Sequence, residues 1–213
     1  GTTFSGTGGT GRFIAVNQTK VIPSQFGVVG AADDTNVIIR SVAALTNGKT
    51  LSFDPNKTYL IDDNGASYAT LSFSGLSNIQ IEGNGATIKA KNGMSADNGT
   101  NLFYFITCHH VTIRNLIVDG NRANRSPVGE KTTYNLNFED CEFVTLENVK
   151  SINSCIDGFY FNATDVNDTS TYCKNIVMTN CIADNSFRQG MSIIHGYGIT
   201  VTGGEFTNTN GTA

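Results

Sequence analysis

Residues 111–115 read Val111-Thr112-Ile113-Arg114-Asn115, a short segment in which aliphatic and polar residues alternate up to a final Asn. Nearly the same pattern recurs four times along the chain: Ile79-Gln80-Ile81-Glu82-Gly83, Val144-Thr145-Leu146-Glu147-Asn148, Ile176-Val177-Met178-Thr179-Asn180 and Ile199-Thr200-Val201-Thr202-Gly203. A strand this short cannot bury its apolar face alone, whereas stacked copies bury a continuous core. The repeat therefore predicts an all-β fold, a single-stranded parallel β-helix.

The spacing of the five segments separates the regular coil from its loops. Successive segments begin 32, 33, 32 and 23 residues apart. Repeat proteins place their insertions in loops, so the shortest spacing is expected to be one bare coil. The longer spacings are expected to carry loops over residues 91–100, 122–133 and 162–172.

Two columns of like residues support this register. The first column holds Cys108, Cys141 and Cys173, and the second, at the corner, holds Gly83, Asn115, Asn148, Asn180 and Gly203. We expect the cysteines to be free thiols in the core, because an odd total of five cysteines argues against a full disulfide framework. Asn and Gly at the corner predict a left-handed backbone there, with side-chain amides hydrogen-bonding along the column.

The chain divides into three predicted parts. Residues 1–23 form a Gly/Thr-rich lead-in, residues 24–75 a cap of helix and strands, and residues 76–213 the coils. Within the cap, the spacing of apolar residues predicts a helix over 33–45, with strands over 49–53 and 58–61. This helix is expected to cover the open apolar end of the coil. The last coil has no such cover, so we expect the chain to continue in the intact protein or another chain to cover this end.

Composition argues against several classes of function. The net charge is −4, which disfavours nucleic acid as a partner. No apolar run approaches the length of a membrane span, so membrane insertion is not expected. The sequence contains no phosphate-binding loop, Cys-x-x-Cys pair or Ser-centred nucleophile elbow. His109 and His110 are adjacent and would point to opposite faces of a strand, so neither a metal nor a cofactor is expected.

Asp157 is the best-placed candidate for a catalytic carboxylate. The register aligns Ser154-Cys155-Ile156-Asp157-Gly158 with Ser186-Phe187-Arg188-Gln189-Gly190, which places Asp157 beside Gln189, with Arg188 one position away. A carboxylate near an arginine and an amide suits acid/base work and sugar binding. The alternative is that Asp157 only stabilises its own Asp-Gly turn. The catalytic reading predicts that Asp157→Asn lowers turnover far more than stability.

A second pair of carboxylates lies in another column. Asp119 and Asp184 are two coils apart with Ile152 between them, so their backbones are expected to be about 9.6 Å apart. Glycoside hydrolases use carboxyls about 5–5.5 Å apart for retention and about 6.5–9.5 Å for inversion. The pair therefore suits inversion better than retention, but the favoured interpretation is that both are solvated turn aspartates. Arg122 lies in a predicted loop, where substrate contact is the functional alternative to simple exposure.

Four segments carry a family resemblance: Phe26-Gly27-Val28-Val29-Gly30, Gly48-Lys49-Thr50-Leu51-Ser52-Phe53-Asp54-Pro55, Asp119-Gly120-Asn121-Arg122 and Arg188-Gln189-Gly190-Met191-Ser192-Ile193-Ile194. They resemble the pectate-lyase-like family of right-handed parallel β-helices, above all bacteriophage tailspike depolymerases. The resemblance implies hydrolysis of a bacterial surface polysaccharide, capsule or lipopolysaccharide, by a homotrimer on a virion tail or outside the cell. The chain departs from the family at Gly30-Ala31-Ala32, where relatives have a Gly-Asp-Gly turn. It also stops before the acidic segment that usually follows the Asn-Thr-Asn-Gly-Thr element.

Two other functions stay open. A non-catalytic β-helix that binds glycan or forms part of a fibre needs no carboxylate pair. A uronate polysaccharide lyase needs a base and a group that neutralises the sugar carboxylate, a role that suits Arg188. Alginate epimerases resemble the 119–122 segment as well, but their catalytic Asp and His are missing from the matching stretch, Ile156–Asn162.

Overall fold

The structure, a computed structural model, describes residues 19–30, 32–63, 68–95, 100–125 and 133–209. The strands, in chain order, are β1 Lys20–Val21, β2 Thr50–Ser52, β3 Thr58–Ile61, β4 Ala69–Ser74, β5 Ser77–Glu82, β6 Thr87–Ala90, β7 Asn101–Ile106, β8 His109–Arg114, β9 Ile117–Asp119, β10 Leu136–Glu139, β11 Glu142–Glu147, β12 Lys150–Ile152, β13 Phe159–Asn162, β14 Cys173–Thr179, β15 Ile182–Asp184, β16 Met191–Ile193, β17 Gly196–Thr202 and β18 Glu205–Thr207. The helices are α1 Thr35–Ala43 and three 3₁₀ turns, Pro23–Gln25, Arg122–Asn124 and Thr169–Thr171.

The strands form three parallel sheets, which confirms the predicted right-handed parallel β-helix. The seven-stranded sheet has the order β1-β2-β5-β8-β11-β14-β17, the six-stranded sheet β18-β15-β12-β9-β6-β3, and the five-stranded sheet β16-β13-β10-β7-β4. A full coil gives one strand to each sheet, as β7, β8 and β9 do. The predicted register is also confirmed, because Val111 pairs with Ile79 on one side and with Val144 on the other.

Stacked phenylalanines fill the core behind the five-stranded sheet. Phe73, Phe105, Phe138 and Phe161 come from four successive coils and are all buried. Their ring centroids are 4.5, 4.9 and 5.2 Å apart along the stack, with nearly parallel planes. Inward-facing residues of a parallel strand alternate with outward-facing ones, so this ladder also determines which residues of the sheet face outward.

The corner after the seven-stranded sheet has the predicted left-handed backbone, with one exception. Asn115, Asn148 and Asn180 have φ of 52°, 53° and 51°. The Asn148 amide donates to the Asn115 side-chain oxygen at 3.2 Å, as expected for a ladder. Gly83 differs, because the positive φ of 51° falls on Asn84 instead. A Cβ on Gly83 would lie 2.3 Å from the Asn115 carbonyl oxygen, so close backbone approach requires glycine there.

Asn148→Ala is expected to lower the free energy of unfolding by about 2–3 kcal/mol. Alanine disfavours the left-handed region by about 1–2 kcal/mol, and the ladder hydrogen bond, worth about 1 kcal/mol, is lost. Asn148→Gly is the matched control, because it removes the same amide but tolerates the backbone. Urea unfolding of both variants checks the prediction, and equal losses would assign the cost to the hydrogen bond rather than to the backbone.

The N-terminal cap closes one end of the coil. Helix α1 packs Ile38 and Val42 into the core, and the buried Asp34 carboxylate accepts the Leu60 N–H at 3.0 Å, which ties the helix start to β3. Residues 1–18 of the predicted lead-in lie outside the described residues. The later part of the lead-in is ordered, because Lys20–Val21 pairs with β2. Among the described helices, none is both long and apolar enough to cross a membrane.

All five cysteines are free and buried, which confirms the prediction of free thiols. In the predicted column, the Cys141 thiol lies 3.5 Å from the Phe105 carbonyl oxygen and the Cys173 thiol lies 3.4 Å from that of Phe138. Burial raises the pKa of both thiols. These thiols are therefore small core residues with weak hydrogen bonds rather than reactive groups.

Candidate active site on the five-stranded sheet

The outer face of the five-stranded sheet is unusually aromatic and largely buried. The pairing of its strands aligns one outward column, Ser72, Tyr104, Asn137, Tyr160 and Ser192. Four of the seven tyrosines of the chain lie on or beside this column: Tyr68, Tyr104, Tyr134 and Tyr160. We call this surface the tyrosine face. Tyr104 is 7% exposed and Asn137 is 1% exposed, although both point away from the core.

The tyrosines form two contacting pairs. Tyr134 and Tyr160 stack with ring centroids 3.9 Å apart and planes at 8°. Tyr68 meets Tyr104 edge to face, at 4.8 Å and 78°. Aromatic faces bordered by polar groups are typical of pockets that hold small polar molecules. The Asn137 Oδ1 atom is buried without a hydrogen-bond partner in the described part of the chain, which leaves a polar acceptor on this face.

Glu139 ends strand β10 between the hydroxyls of two tyrosines. Its Oε2 accepts hydrogen bonds from Tyr104 at 3.1 Å and from Tyr68 at 3.4 Å, and the residue is 8% exposed. Burial raises the pKa of the Glu139 carboxyl, and the nearby Asp140 charge adds to this, whereas the two tyrosine hydrogen bonds oppose it. A carboxyl that holds its proton to higher pH is suited to general acid catalysis.

A second carboxylate, Asp140, follows directly in the chain. Its backbone is left-handed, with φ of 53°. Its Oδ1 accepts the Thr164 N–H at 2.7 Å, and its Oδ2 accepts the Thr164 hydroxyl. Asp140 is thus held by donors at the rim, while Glu139 lies in a desolvated pocket. Two carboxyls in contrasting environments are one feature of the sites that cleave glycosidic bonds by acid/base catalysis.

Glu139 is expected to make the folded protein less stable as pH rises. Its pKa is raised above the unfolded-state value of 4.5, so the folded state binds the proton more tightly. This contribution to the free energy of unfolding is fully present below pH 4.5 and is lost as pH rises through the folded-state pKa. Urea unfolding over about pH 4–7 checks this, because Glu139→Gln is expected to flatten that part of the curve. Parallel curves for the two proteins would contradict it.

The structure brings Asp157, Arg188 and Gln189 together, as the sequence register indicated. The Asp157 carboxylate accepts hydrogen bonds from Arg188 Nε at 3.0 Å, Arg188 Nη2 at 2.6 Å and the Gln189 N–H at 3.0 Å. The Ser192 hydroxyl lies 2.8 Å from Oδ2. The Asp157 carboxylate is fully buried and occupied by these donors. This geometry favours an anchoring role over the predicted catalytic one, because a substrate cannot reach the carboxylate.

Arg188 is the accessible member of this cluster. Its side chain is 35% exposed, whereas that of Asp157 is 0% exposed. The hydrogen bonds that Arg188 donates to Asp157 raise the pKa of the Arg188 guanidinium, which also interacts with Tyr134 of the stacked pair. Arg188 is thus a fixed cation beside an aromatic surface, with the exposed Gln189 next to it. Such a cation suits the carboxylate of an acidic sugar.

Asp119, Asp184 and Arg122 lie on another surface, along the six-stranded sheet. Asp119 and Asp184 share a column with Ile152 between them, as predicted, but each carboxylate is held by groups of its own or a neighbouring coil. Asp119 accepts from the Asn121 N–H and the Asn153 amide and lies 3.2 Å from Lys89 Nζ.

The rest of that surface is held by hydrogen bonds between coils. Asp184 accepts from Thr207 at 3.0 Å and from Asn208 at 2.7 Å. Arg122 donates to the Asn185 side chain. These residues therefore act as corner supports, and the structure does not bring them to the tyrosine face. Among the described residues, no three His, Cys, Asp or Glu side chains converge to hold a metal ion.

The sequence reasoning missed Glu139, Tyr104 and the stacked tyrosines. A usable signal was present in Leu136-Asn137-Phe138-Glu139, where Leu136 and Phe138 alternate with polar residues. Aligning it with Phe103-Tyr104-Phe105-Ile106 and Phe159-Tyr160-Phe161-Asn162 would have assembled the outward column. The predicted register came from the seven-stranded sheet alone, because that sheet carries the more regular repeat.

Comparison with known proteins supports the fold. No protein-family model and no curated protein matches the chain. Among solved structures, the chain is similar to a protein of Parabacteroides merdae ATCC 43184 that is provisionally assigned as a glycosyl hydrolase, with a TM-score of 0.54, 14% identity, and coverage of 86% of this chain and 93% of that one. It is also similar to ORF18 of Geobacillus virus E2, with a TM-score of 0.51, 17% identity, and coverage of 88% of this chain and 41% of the viral one. At such identities the likeness shows the fold alone.

Proposed function

We propose that the protein is a polysaccharide depolymerase that hydrolyses glycosidic bonds at the tyrosine face. One observation carries the proposal, namely the buried Glu139 carboxyl, whose raised pKa fits a general acid and whose two phenol neighbours fix its position. The aromatic surface beside it suits sugar rings. The similarity in fold to a provisionally assigned glycosyl hydrolase agrees with this chemistry.

In the proposed reaction, the sugar chain lies across the strands of the five-stranded sheet. Tyr134 and Tyr160 stack against a sugar ring, and Arg188 binds a carboxylate on an acidic sugar. Glu139 gives its proton to the glycosidic oxygen as the bond to the anomeric carbon breaks. Asp140 takes a proton from the water that attacks this carbon, so the products gain one water between them. Burial raises the pKa of the Glu139 carboxyl, which favours the protonated form that this step uses.

The biological setting we propose is a phage tailspike. The support is the resemblance of the segments around residues 26–55 and 188–194 to tailspike depolymerases, together with a fold shared with a viral protein. In this setting the substrate is a bacterial capsule or lipopolysaccharide, the assembly a homotrimer, and the location a virion tail or the outside of a cell. The chain spans 41% of the length of that viral protein.

A glycan-binding β-helix without catalysis is the second candidate. The specific observation in its favour is that Arg188 lies beside the stacked tyrosines, an arrangement that suits glycan binding without any contribution from Glu139. A uronate lyase is a third possibility, in which Arg188 neutralises the sugar carboxylate. In both reactions Arg188 keeps further donors besides the two that Asp157 engages, so the products rather than Arg188 distinguish a lyase from a hydrolase.

The test is to incubate the protein with a panel of bacterial capsule and lipopolysaccharide preparations and to analyse released oligosaccharides by mass spectrometry. Products that gain one water support the proposed hydrolase. Products with an unsaturated sugar would identify a lyase, because elimination adds no water and these products are lighter than the hydrolysis products by one water. Retention of a polysaccharide without any products would favour the binding module.

A further inference from the structure

A column of left-handed residues crosses the seven-stranded sheet on the side of the coil that does not carry the tyrosine face. Its members are Asn78, His110, Phe143, Asn175 and Gly198, with φ between 54° and 68°. They fall in a gap of the ladder, since His109 pairs with Glu142, and the pairing resumes at Val111 and Val144. Asn and Gly tolerate this conformation, and histidine is found there more often than most residues, but the bulky phenylalanine is an outlier.

Phe143 is the costliest of these choices. Its φ is 56°, and the side chain is 46% exposed, so burial does not offset the backbone strain. Its ring stacks on His110 with centroids 4.7 Å apart and planes at 4°. A residue whose backbone is strained, and whose side chain is not buried in return, points to a functional role at that position. Other coils carry Asn78 and Asn175 at the same position, so a less strained residue fits this position of the coil.

The side chains of the column become shorter after Phe143, which leaves a groove. His110 and Phe143 are followed by the shorter Asn175 and then by Gly198, which has no side chain. The groove has a volume of about 440 Å³ and is also lined by Thr112, Thr145, Val177 and Thr200. Because residues of one column stack along the coil axis, the Phe143 ring face opposite His110 borders this groove and is open to stacking.

The lining of the groove fits a sugar ring. The hydroxyls of Thr145 and Thr200 and the amide of Asn175 make no side-chain hydrogen bonds to other described residues, so they are free to bind a ligand. An aromatic face bordered by free hydroxyls matches a pyranose, which has an apolar face and a polar edge. The groove volume lies within the range of about 300–1,000 Å³ that is usual for small-ligand sites. A stable protein interface is a larger surface, which buries about 800 Å² per partner. We propose that this groove is a second carbohydrate-binding site, which stacks a pyranose ring on Phe143.

The test uses ¹⁵N-labelled protein titrated with methyl β-D-glucopyranoside and methyl β-D-galactopyranoside. We expect chemical-shift changes at the Asn175 and Gly198 amides for at least one sugar, with a Kd at least tenfold weaker in Phe143→Asn. The melting temperature of Phe143→Asn should be no lower than that of the wild type, because the backbone strain is relieved. Tyr197→Asn is the matched control, since it removes an exposed aromatic ring of the same sheet outside the groove and should bind as the wild type does.

Three results would overturn the proposal. Shift changes that are equal in wild type and Phe143→Asn would place the sugar elsewhere. No shift at Asn175 or Gly198 with either sugar would remove the site. Concentration-dependent dimerisation that Phe143→Asn abolishes would assign the groove to a second copy of the chain. None of these readouts uses cleavage, so the outcome is independent of the hydrolase proposed for the tyrosine face.

Discussion

Glu139→Gln is expected to lower the turnover of polysaccharide cleavage by about 10²–10⁴-fold, the range that general acid catalysis contributes. Polysaccharide binding is expected to stay within about threefold of the wild type. Glutamine keeps the shape of the side chain and its position between Tyr68 and Tyr104. It has no proton to give to the leaving oxygen, so the loss falls on kcat rather than on KM.

The measurement is steady-state release of reducing ends from a polysaccharide that the wild type cleaves. Glu147→Gln is the matched control, because this half-exposed glutamate pairs with Arg114 on the seven-stranded sheet, away from the tyrosine face. We expect the control to retain wild-type turnover. Near-normal turnover in Glu139→Gln would remove Glu139 from the reaction and leave its raised pKa as a consequence of packing.

The pH dependence of cleavage gives an independent check on the same assignment. A general acid works in its protonated form, so wild-type turnover is expected to fall as pH rises through the Glu139 pKa, which burial raises. The residual activity of Glu139→Gln should lack this fall. If the fall persists in the variant, another group controls it, and Glu139 is not the acid.

The coil was predictable from the sequence because its information is local and repeated. Alternation in segments such as 111–115 fixes which face is buried, and Asn at the corner fixes the turn. Gly83 shows the limit of this reasoning. It stands in the Asn column, but its reason is the nearness of the Asn115 carbonyl on the next coil, which depends on three-dimensional packing rather than on the repeat.

The candidate site was less predictable, because burial of an outward residue depends on other parts of the chain. Glu139 lies on the outer side of its strand, where alternation predicts exposure. Tyr68, 71 residues earlier, and Tyr104 enclose it and change its proton affinity. For Asp157, the register correctly indicated Gln189 as a neighbour. It gave no information on side-chain direction, and this direction decides whether the carboxylate meets solvent or Arg188.

Asp157→Ala is expected to lower the free energy of unfolding by about 1–3 kcal/mol, the usual cost when donors lose a buried acceptor, because Arg188, with a side chain 35% exposed, can be rehydrated. The variant leaves the Gln189 N–H and the Ser192 hydroxyl without the acceptor they have in the wild type. It also frees Arg188 from its fixed position beside Tyr134. Asp157→Asn should lose less stability, because the amide oxygen still accepts one or two of these bonds.

The comparison of Asp157→Asn with Glu139→Gln separates anchoring from catalysis. Urea unfolding and turnover are both measured at a temperature where each variant is folded. If Asp157 is an anchor, Asp157→Asn shows a marked loss of stability, a raised KM for an acidic polysaccharide and a kcat that is lowered far less than in Glu139→Gln. These effects arise because Arg188 is misplaced while the acid is intact. A variant with wild-type stability and no turnover would instead assign Asp157 a catalytic role. In that case the surroundings of Asp157 would have to rearrange to admit the substrate.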